Sequence, residues 1–330
     1  MKRAFVTGGS GFLGGVLIAR LRKAGVEVVA LARSQASLDK VTSLDASPIA
    51  GDVTDAPALE AGMRGCDVVF HTAAHFTEWD AYDRFHQANV IGTECVLRAA
   101  ANAGVPTLIA VGAAGVFMGK PEPLSNLDET APLQQPTWAP YTATKAEAQR
   151  LVLAANGTRL RTVVIDPPLI WGPGMPMLDD MLPMIDAGAF ALPDGGAHLM
   201  STCHVDNVVE GLLLAAERGR GGESYFVTDG DDISFKQLAA DLLSTLSRPP
   251  VEKSAPFAVA WFAATLLEPV WRTLKLKGKP PVTRQLLRMI GKEFTLDTTK
   301  ARTELGYAPI VSRKDGLNQM RAARVPDRGL

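Results

Sequence analysis

The chain has 330 residues, with 34 Lys and Arg against 35 Asp and Glu, so its formal charge at pH 7 is −1. A 47% hydrophobic and 21% charged composition is ample for a buried core and excludes disordered or collagen-like chains. Neither the net charge nor any Lys/Arg block supplies the electrostatic footprint of a nucleic-acid binder.

The chain opens on Met-Lys-Arg and enters a strand without the apolar stretch and cleavage site of a signal peptide. Strands are expected at 2–7, 27–31, 48–50, 67–71, 107–111 and 161–165, with helices at 12–24, 80–103 and 140–155. The helices stop at Gly25, Gly104 and Asn156-Gly157, and the third opens on Pro140, a residue suited to a first turn. This alternation predicts an α/β fold, a Rossmann-type doubly wound parallel sheet. After Ile165 the passage Asp166-Pro167-Pro168, then Trp171-Gly172-Pro173-Gly174-Met175-Pro176, interrupts regular structure. Helices follow at 206–217, 234–246 and 256–276, with an extended piece at 223–228. The expected organisation is a dinucleotide-binding domain over 1–166, to which segments near 201–232 return. A smaller, partly discontinuous substrate domain is expected over 167–330. Three widely spaced cysteines, Cys66, Cys95 and Cys203, give no disulfide framework or zinc spacing, and no apolar run reaches membrane-spanning length. A reducing, cytoplasmic location is expected.

Gly8-Gly9-Ser10-Gly11-Phe12-Leu13-Gly14 joins the first strand to the first helix. In a dinucleotide cradle Gly8 permits the tight turn, Gly11 admits the pyrophosphate, and Gly14 lets the helix pack on the sheet, with Phe12 and Leu13 opening the helix. The helix N-terminus then offers free N–H groups and a positive dipole end. The second strand ends Ala32-Arg33-Ser34. An acidic residue at this place would bind a ribose 2′-OH, whereas an arginine pairs with a 2′-phosphate, so NADP(H) is favoured over NAD(H). Asp52-Val53 ends the third strand, where a carboxylate can contact adenine or simply form a turn.

Tyr141-Thr142-Ala143-Thr144-Lys145 lies in the first turns of the third helix, where i, i+4 spacing brings phenol and ammonium to one face. A neighbouring cation stabilises the phenolate and lowers the pKa of Tyr141, which suits it to exchange a proton with a ketone or alcohol oxygen. His71 and His75 have no metal-ligand spacing, so no metal site is expected.

These segments, with Asp67–Ala74, Asn89–Thr93 and Pro167–Pro173, resemble an extended short-chain dehydrogenase/reductase. His204–Val208, Tyr225–Asp229, Pro280–Thr283 and Leu305–Pro309 are similar to its 3β-hydroxysteroid dehydrogenase-like branch, within the NAD(P)-dependent epimerase/dehydratase family. The resemblance implies Tyr141 as proton donor, Lys145 holding the nicotinamide ribose, Thr72, Ala73, Ala74, Pro167 and Ile170 beside the cofactor, and Asn89 as a structural or relay position. It also implies a homodimer through helices 80–103 and 140–155.

The family's substrate-binding Ser/Thr falls here on Ala113, and Asp166 replaces the more usual arginine. Thr142, Thr144 or a water are candidate replacements for the missing donor. His75 and Met175 are expected toward a hydrophobic substrate, sterol-like or acyl-chain. The methionines at 175, 177, 181, 184 and 200 fit either a pocket lining or ordinary core. The apolar 256–267 segment, followed by Arg272, Lys275, Lys277 and Lys279, is a candidate for peripheral membrane contact. The reading is an oxidoreductase interconverting a hydrophobic ketone and alcohol. A nucleotide-sugar epimerase/dehydratase and a weakly active NADP(H)-binding sensor are the alternatives.

Overall fold

The computed structural model describes residues 1–324. β-Branched and aromatic runs pair as a seven-stranded parallel sheet in the order Glu223–Phe226, Arg161–Asp166, Thr107–Val111, Val68–His71, Arg3–Thr7, Glu27–Ala32, Ser47–Ala50. The order reverses between Arg3–Thr7 and Val68–His71, which opens a crevice at the carboxyl ends of these strands. Alternation along the first strand feeds two cores. Ala4 and Val6 pack beneath the helices Phe12–Lys23 and Val205–Arg218, whereas Phe5 packs with Leu59, Val96 and Val152 beneath Ala56–Met63, Gly92–Asn102 and Pro140–Ala154.

Two helices without strong periodic signals, Gln35–Ser43 and Ala56–Met63, complete the crossovers. Each is fixed by its N-cap: Ser34 accepts from Ser37 N–H and Asp55 from Ala58 N–H. The helix expected over 80–103 is divided. Tyr82–Phe85 runs into a π-helical segment, His86–Ile91, before Gly92–Asn102. The Pro/Gly passage after Ile165 contains a short strand, Leu169–Trp171, and at Pro176 it opens a helix to Asp186, because proline is tolerated in a first turn.

A four-stranded sheet ordered Ile233–Ser234, Leu199–Met200, Phe294–Leu296, Leu124–Leu127 belongs to the second lobe. Its apolar cluster holds Trp171, Met175, Leu178, Phe190, Met200, Phe235 and Ile290. Asp229 joins the lobes. Its carboxylate accepts from Trp171 Nε1 (2.6 Å), Thr202 Oγ1 (2.7 Å), His204 N (2.6 Å) and Asn207 Nδ2 (2.8 Å). Those donors are fully buried, so one carboxylate satisfies polar groups that are costly to leave unpaired. Residues 325–330 of the expected substrate domain lie outside the described residues.

Candidate active site

The turn after the first strand is built from what it lacks. Gly8 has φ +71°, and a Cβ there would meet Ala73 N and Thr72 Oγ1 at 2.8 Å. A Cβ on Gly14 would lie 2.2 Å from Gly8 O, so the helix starting at Phe12 can cross this turn only without a side chain at 14. Gly11 stays exposed, its N–H closing on Gly8 O at 3.0 Å. Thr72 Oγ1 donates to Thr7 O (2.7 Å) and Ala73 N to Thr7 Oγ1 (3.3 Å), which seats Thr72 and Ala73 over Gly8, while Ala74 is exposed. The arrangement fits a dinucleotide: the turn and the helix start come close together only without side chains at 8 and 14, which brings a helix N-terminus to the carboxyl end of the first strand. His71 is fully buried between Thr7 Oγ1 (2.8 Å) and Thr93 Oγ1 (2.9 Å), and burial pushes its pKa down to about 3. It is a neutral tie between strand ends and helix.

Pro140 begins the helix Pro140–Ala154, which carries Tyr141 and Lys145 one turn apart. Phe76 packs edge-on against the Tyr141 ring at 5.0 Å, and Phe85 lies at 6.5 Å. The π-helical turn bears on this cage. It carries Asn89, whose Oδ1 accepts from His75 N (2.7 Å) and whose Nδ2 donates to His75 O (3.3 Å) and Thr144 Oγ1 (3.2 Å). Asn89 therefore ties the loop carrying Phe76 to the helix carrying Tyr141. Thr144 Oγ1 also donates to Pro140 O (2.8 Å), so this hydroxyl is committed and does not replace the donor missing at Ala113. His75 pairs through Nε2 with Asp80 (2.9 Å) beside Phe85.

Asp166, flagged by the sequence only as a departure, is central. Its Oδ1 accepts from Ala113 N (2.9 Å) and its Oδ2 from Gln149 Nε2 (2.7 Å). Lys145 Nζ donates to Val111 O at 2.6 Å. Gly112 lies between: a Cβ there would fall 1.8 Å from Asp166 Oδ1. Burial pushes the Asp166 carboxyl up to about 7 and draws the Lys145 ammonium down to about 8, with each charge opposing the other's shift. The expected lowering of Tyr141 by Lys145 is not what the site produces. Burial, and then the charge of Asp166, raises the phenol above its ordinary value. Tyr141 is thereby kept protonated.

The remaining expected contacts are dispersed along the crevice. Pro167 is buried, its carbonyl accepting from Ala114 N (2.9 Å), and Ile170 packs against the sheet core. Arg33 is exposed with Nη1 3.7 Å from Asp52 Oδ2, Ser34 caps the next helix, and Val53 fills the space beside Gly92. Asp52 Oδ1 accepts from Thr54, forming a turn. Met175 is 4% exposed within the apolar cluster of the second lobe, where a cavity of about 20 Å³ has room for a water-sized guest only. It is core, as is Met200, while Met177, Met181 and Met184 are half-buried against the same cluster. Among the described residues, no three His, Cys, Asp or Glu side chains gather as a metal site, and no helix is long and apolar enough to cross a membrane.

A model of the 3-beta hydroxysteroid dehydrogenase/isomerase family matches residues 5–255. The chain is 44% identical over 322 residues to the 4-hydroxy-2-methyl-3-oxo-4-farnesyl-3,4-dihydroquinoline-1-oxide ketoreductase of Stigmatella aurantiaca, covering 97% of this chain and 96% of that protein. It is 33% identical over 328 residues to the 2-alkyl-3-oxoalkanoate reductase of Stenotrophomonas maltophilia, covering 97% and 99%. Among solved structures, a dTDP-glucose 4,6-dehydratase double mutant from Streptomyces venezuelae with NAD bound aligns at TM-score 0.71 and 28% identity, over 99% of this chain and 98% of that one.

The electrostatics generate a pH prediction. A supporting role for the Lys145 ammonium beside Tyr141 predicts that activity falls as pH rises through the lysine's depressed pKa of about 8. Asp166 holds that value up, so Asp166→Asn shifts the alkaline limb of the kcat/KM profile to lower pH. An unmoved limb would remove Asp166 from the site's electrostatics.

Proposed function

This chain belongs to the 3-beta hydroxysteroid dehydrogenase/isomerase family, whose members are NAD(P)-dependent oxidoreductases acting on CH–OH and ketone groups, and from that premise we propose that it reduces a hydrophobic ketone. The observation that carries this reading is a phenol clamped by Phe76 and Phe85, kept protonated by burial and Asp166, with a lysine one turn along the same helix. A nicotinamide cofactor, when bound, supplies the hydride. Tyr141 gives its proton to the ketone oxygen, and the Lys145 ammonium balances the phenolate left behind. Ala113 offers no hydroxyl, so Tyr141 carries the oxygen's stabilisation with one donor fewer, a loss worth about a hundredfold in rate where it has been tested elsewhere. The relatives named as ketoreductase and 3-oxoalkanoate reductase support a ketone on an apolar frame. Tyr141→Phe is expected to lower NADPH-dependent reduction of a long-chain 3-oxo substrate by at least about a hundredfold. Full activity in that variant would refute the assigned acid.

NADP(H) is the proposed cofactor. Ala32 is buried where a carboxylate would meet the 2′-OH, and the exposed Arg33 guanidinium is held only loosely by Asp52 at 3.7 Å. A bidentate arginine–phosphate contact is worth about a tenfold preference or more. Calorimetry should therefore give tighter binding of NADPH than NADH, with the difference largely lost in Arg33→Ala. Tighter NADH binding by the unaltered chain would overturn the assignment.

We also propose peripheral membrane contact through the helix Phe257–Thr273. Val259, Phe262, Leu266, Val270 and Leu274 are exposed at three- and four-residue spacing along it. Its one acidic residue, Glu268, is turned inward to Arg284, and Arg272, Lys275 and Lys277 are exposed at its end. Co-sedimentation with vesicles containing about 30% phosphatidylserine, reduced at least about tenfold by a Phe262→Asp/Leu266→Asp double variant, is the expected result. Equal recovery of both proteins would reject the contact.

A further inference from the structure

A cation without an ion-pair partner among the described residues lies in the short helix Arg284–Ile290. Arg288 is 2% exposed, and its Nε, Nη1 and Nη2 are all buried without a hydrogen-bond partner among the described residues. Three residues earlier, on the same helix face, Gln285 is 4% exposed. It donates Nε2 to Thr77 O at 3.1 Å and leaves Oε1 buried and unpaired. A guanidinium out of water is among the costliest groups to leave uncompensated, and arginine does not escape by losing its proton at neutral pH. Glu122 is the carboxylate whose charge reaches it, yet Glu122 is exposed and forms no ion pair with it.

The neighbours of this helix place the orphan. Thr77 adjoins Phe76, whose ring packs on Tyr141, and Arg284 lies over Trp138 at 5.7 Å, just before Tyr141 in the chain. The helix thus packs against the two loops that flank the proposed proton donor. The other cations nearby are committed: Arg284 to Glu268 by hydrogen bonds of 2.8 and 2.6 Å, and Lys279 to Glu78.

We propose that Arg288, with Gln285 beside it, binds a carboxylate carried by the substrate ketone. The proposal rests on the ketone-reductase reading and names its substrate class: an apolar ketone that is also an acid. One uncommitted guanidinium matches one negative charge, and its planar fork matches a carboxylate in two parallel hydrogen bonds. A diphosphate would bring more negative charge than this one buried guanidinium neutralises, close to Glu122.

The test uses 3-oxododecanoate and its ethyl ester as substrates, and unreactive dodecanoate as a calorimetric ligand. The unaltered chain should prefer acid over ester by at least about tenfold in kcat/KM, and Arg288→Met should bring that preference to within about twofold. Arg288→Lys keeps the charge without the fork. It should keep a cooperative melt and an intermediate preference, which separates recognition from misfolding. Dodecanoate binding should weaken in parallel. Arg288-dependent dodecanoate binding without ketone reduction would sink the reductase reading and leave the anion site standing. Reduction of acid and ester with equal efficiency, indifferent to Arg288, would sink the anion site alone. Two further results overturn it: tighter binding of UDP than of dodecanoate, or dodecanoate binding that emerges only in Glu122→Gln, which would make Glu122 the arginine's own partner.

Discussion

The burial of two opposite charges around a single turn of backbone governs this site. Lys145 and Asp166 approach the Val111–Ala113 segment through different atoms: the ammonium donates to the Val111 carbonyl, the carboxylate accepts from the Ala113 amide. Each ion alone would be driven to neutrality by burial, and each makes the other's charge less costly. Gln149 supplies the carboxylate with a second donor. The strand end is thereby fixed beside the helix Pro140–Ala154, and the Tyr141 phenol is biased toward its protonated form.

Around this pair the scaffold is economical with polar side chains. Asn89 spans the gap between the loop carrying Phe76 and the start of the helix Pro140–Ala154, and the π-helical turn is the local irregularity that carries it. Asp229 does comparable work between the lobes, collecting donors from four chain positions. In the second lobe Glu268 is matched by Arg284, whereas Arg288 is buried without a hydrogen-bond partner among the described residues.

Much of this was legible in the sequence. The parallel sheet follows from β-branched runs alternating with helical spacing, and the glycines at 8, 11 and 14 carry a steric requirement that any reader of the chain can state. Tyr141 and Lys145 are readable because helical periodicity places them together. Other features resist such reading because they depend on tertiary neighbours. Asp166 stands out only as an unexpected residue before a proline, and its partners at 113 and 149 are fixed by sheet and helix packing rather than by local pattern. The methionines after residue 175 satisfy the composition of a pocket and of a core equally, and only packing distinguishes them. The upward shift of Tyr141 depends on burial, which the lysine's spacing does not reveal.

The contact between Asp166 and the empty side of Gly112 also constrains the order in which this chain could exchange these residues. While the acid occupies that space, residue 112 is closed to every side chain. Losing the acid first leaves the Ala113 amide and Gln149 without their acceptor. A lineage exchanging this carboxylate for a basic residue must therefore cross a less stable intermediate or change several positions at once. Positions 112, 149 and 166 are thus coupled through one carboxylate, so a substitution at any one of them carries a penalty set by the other two.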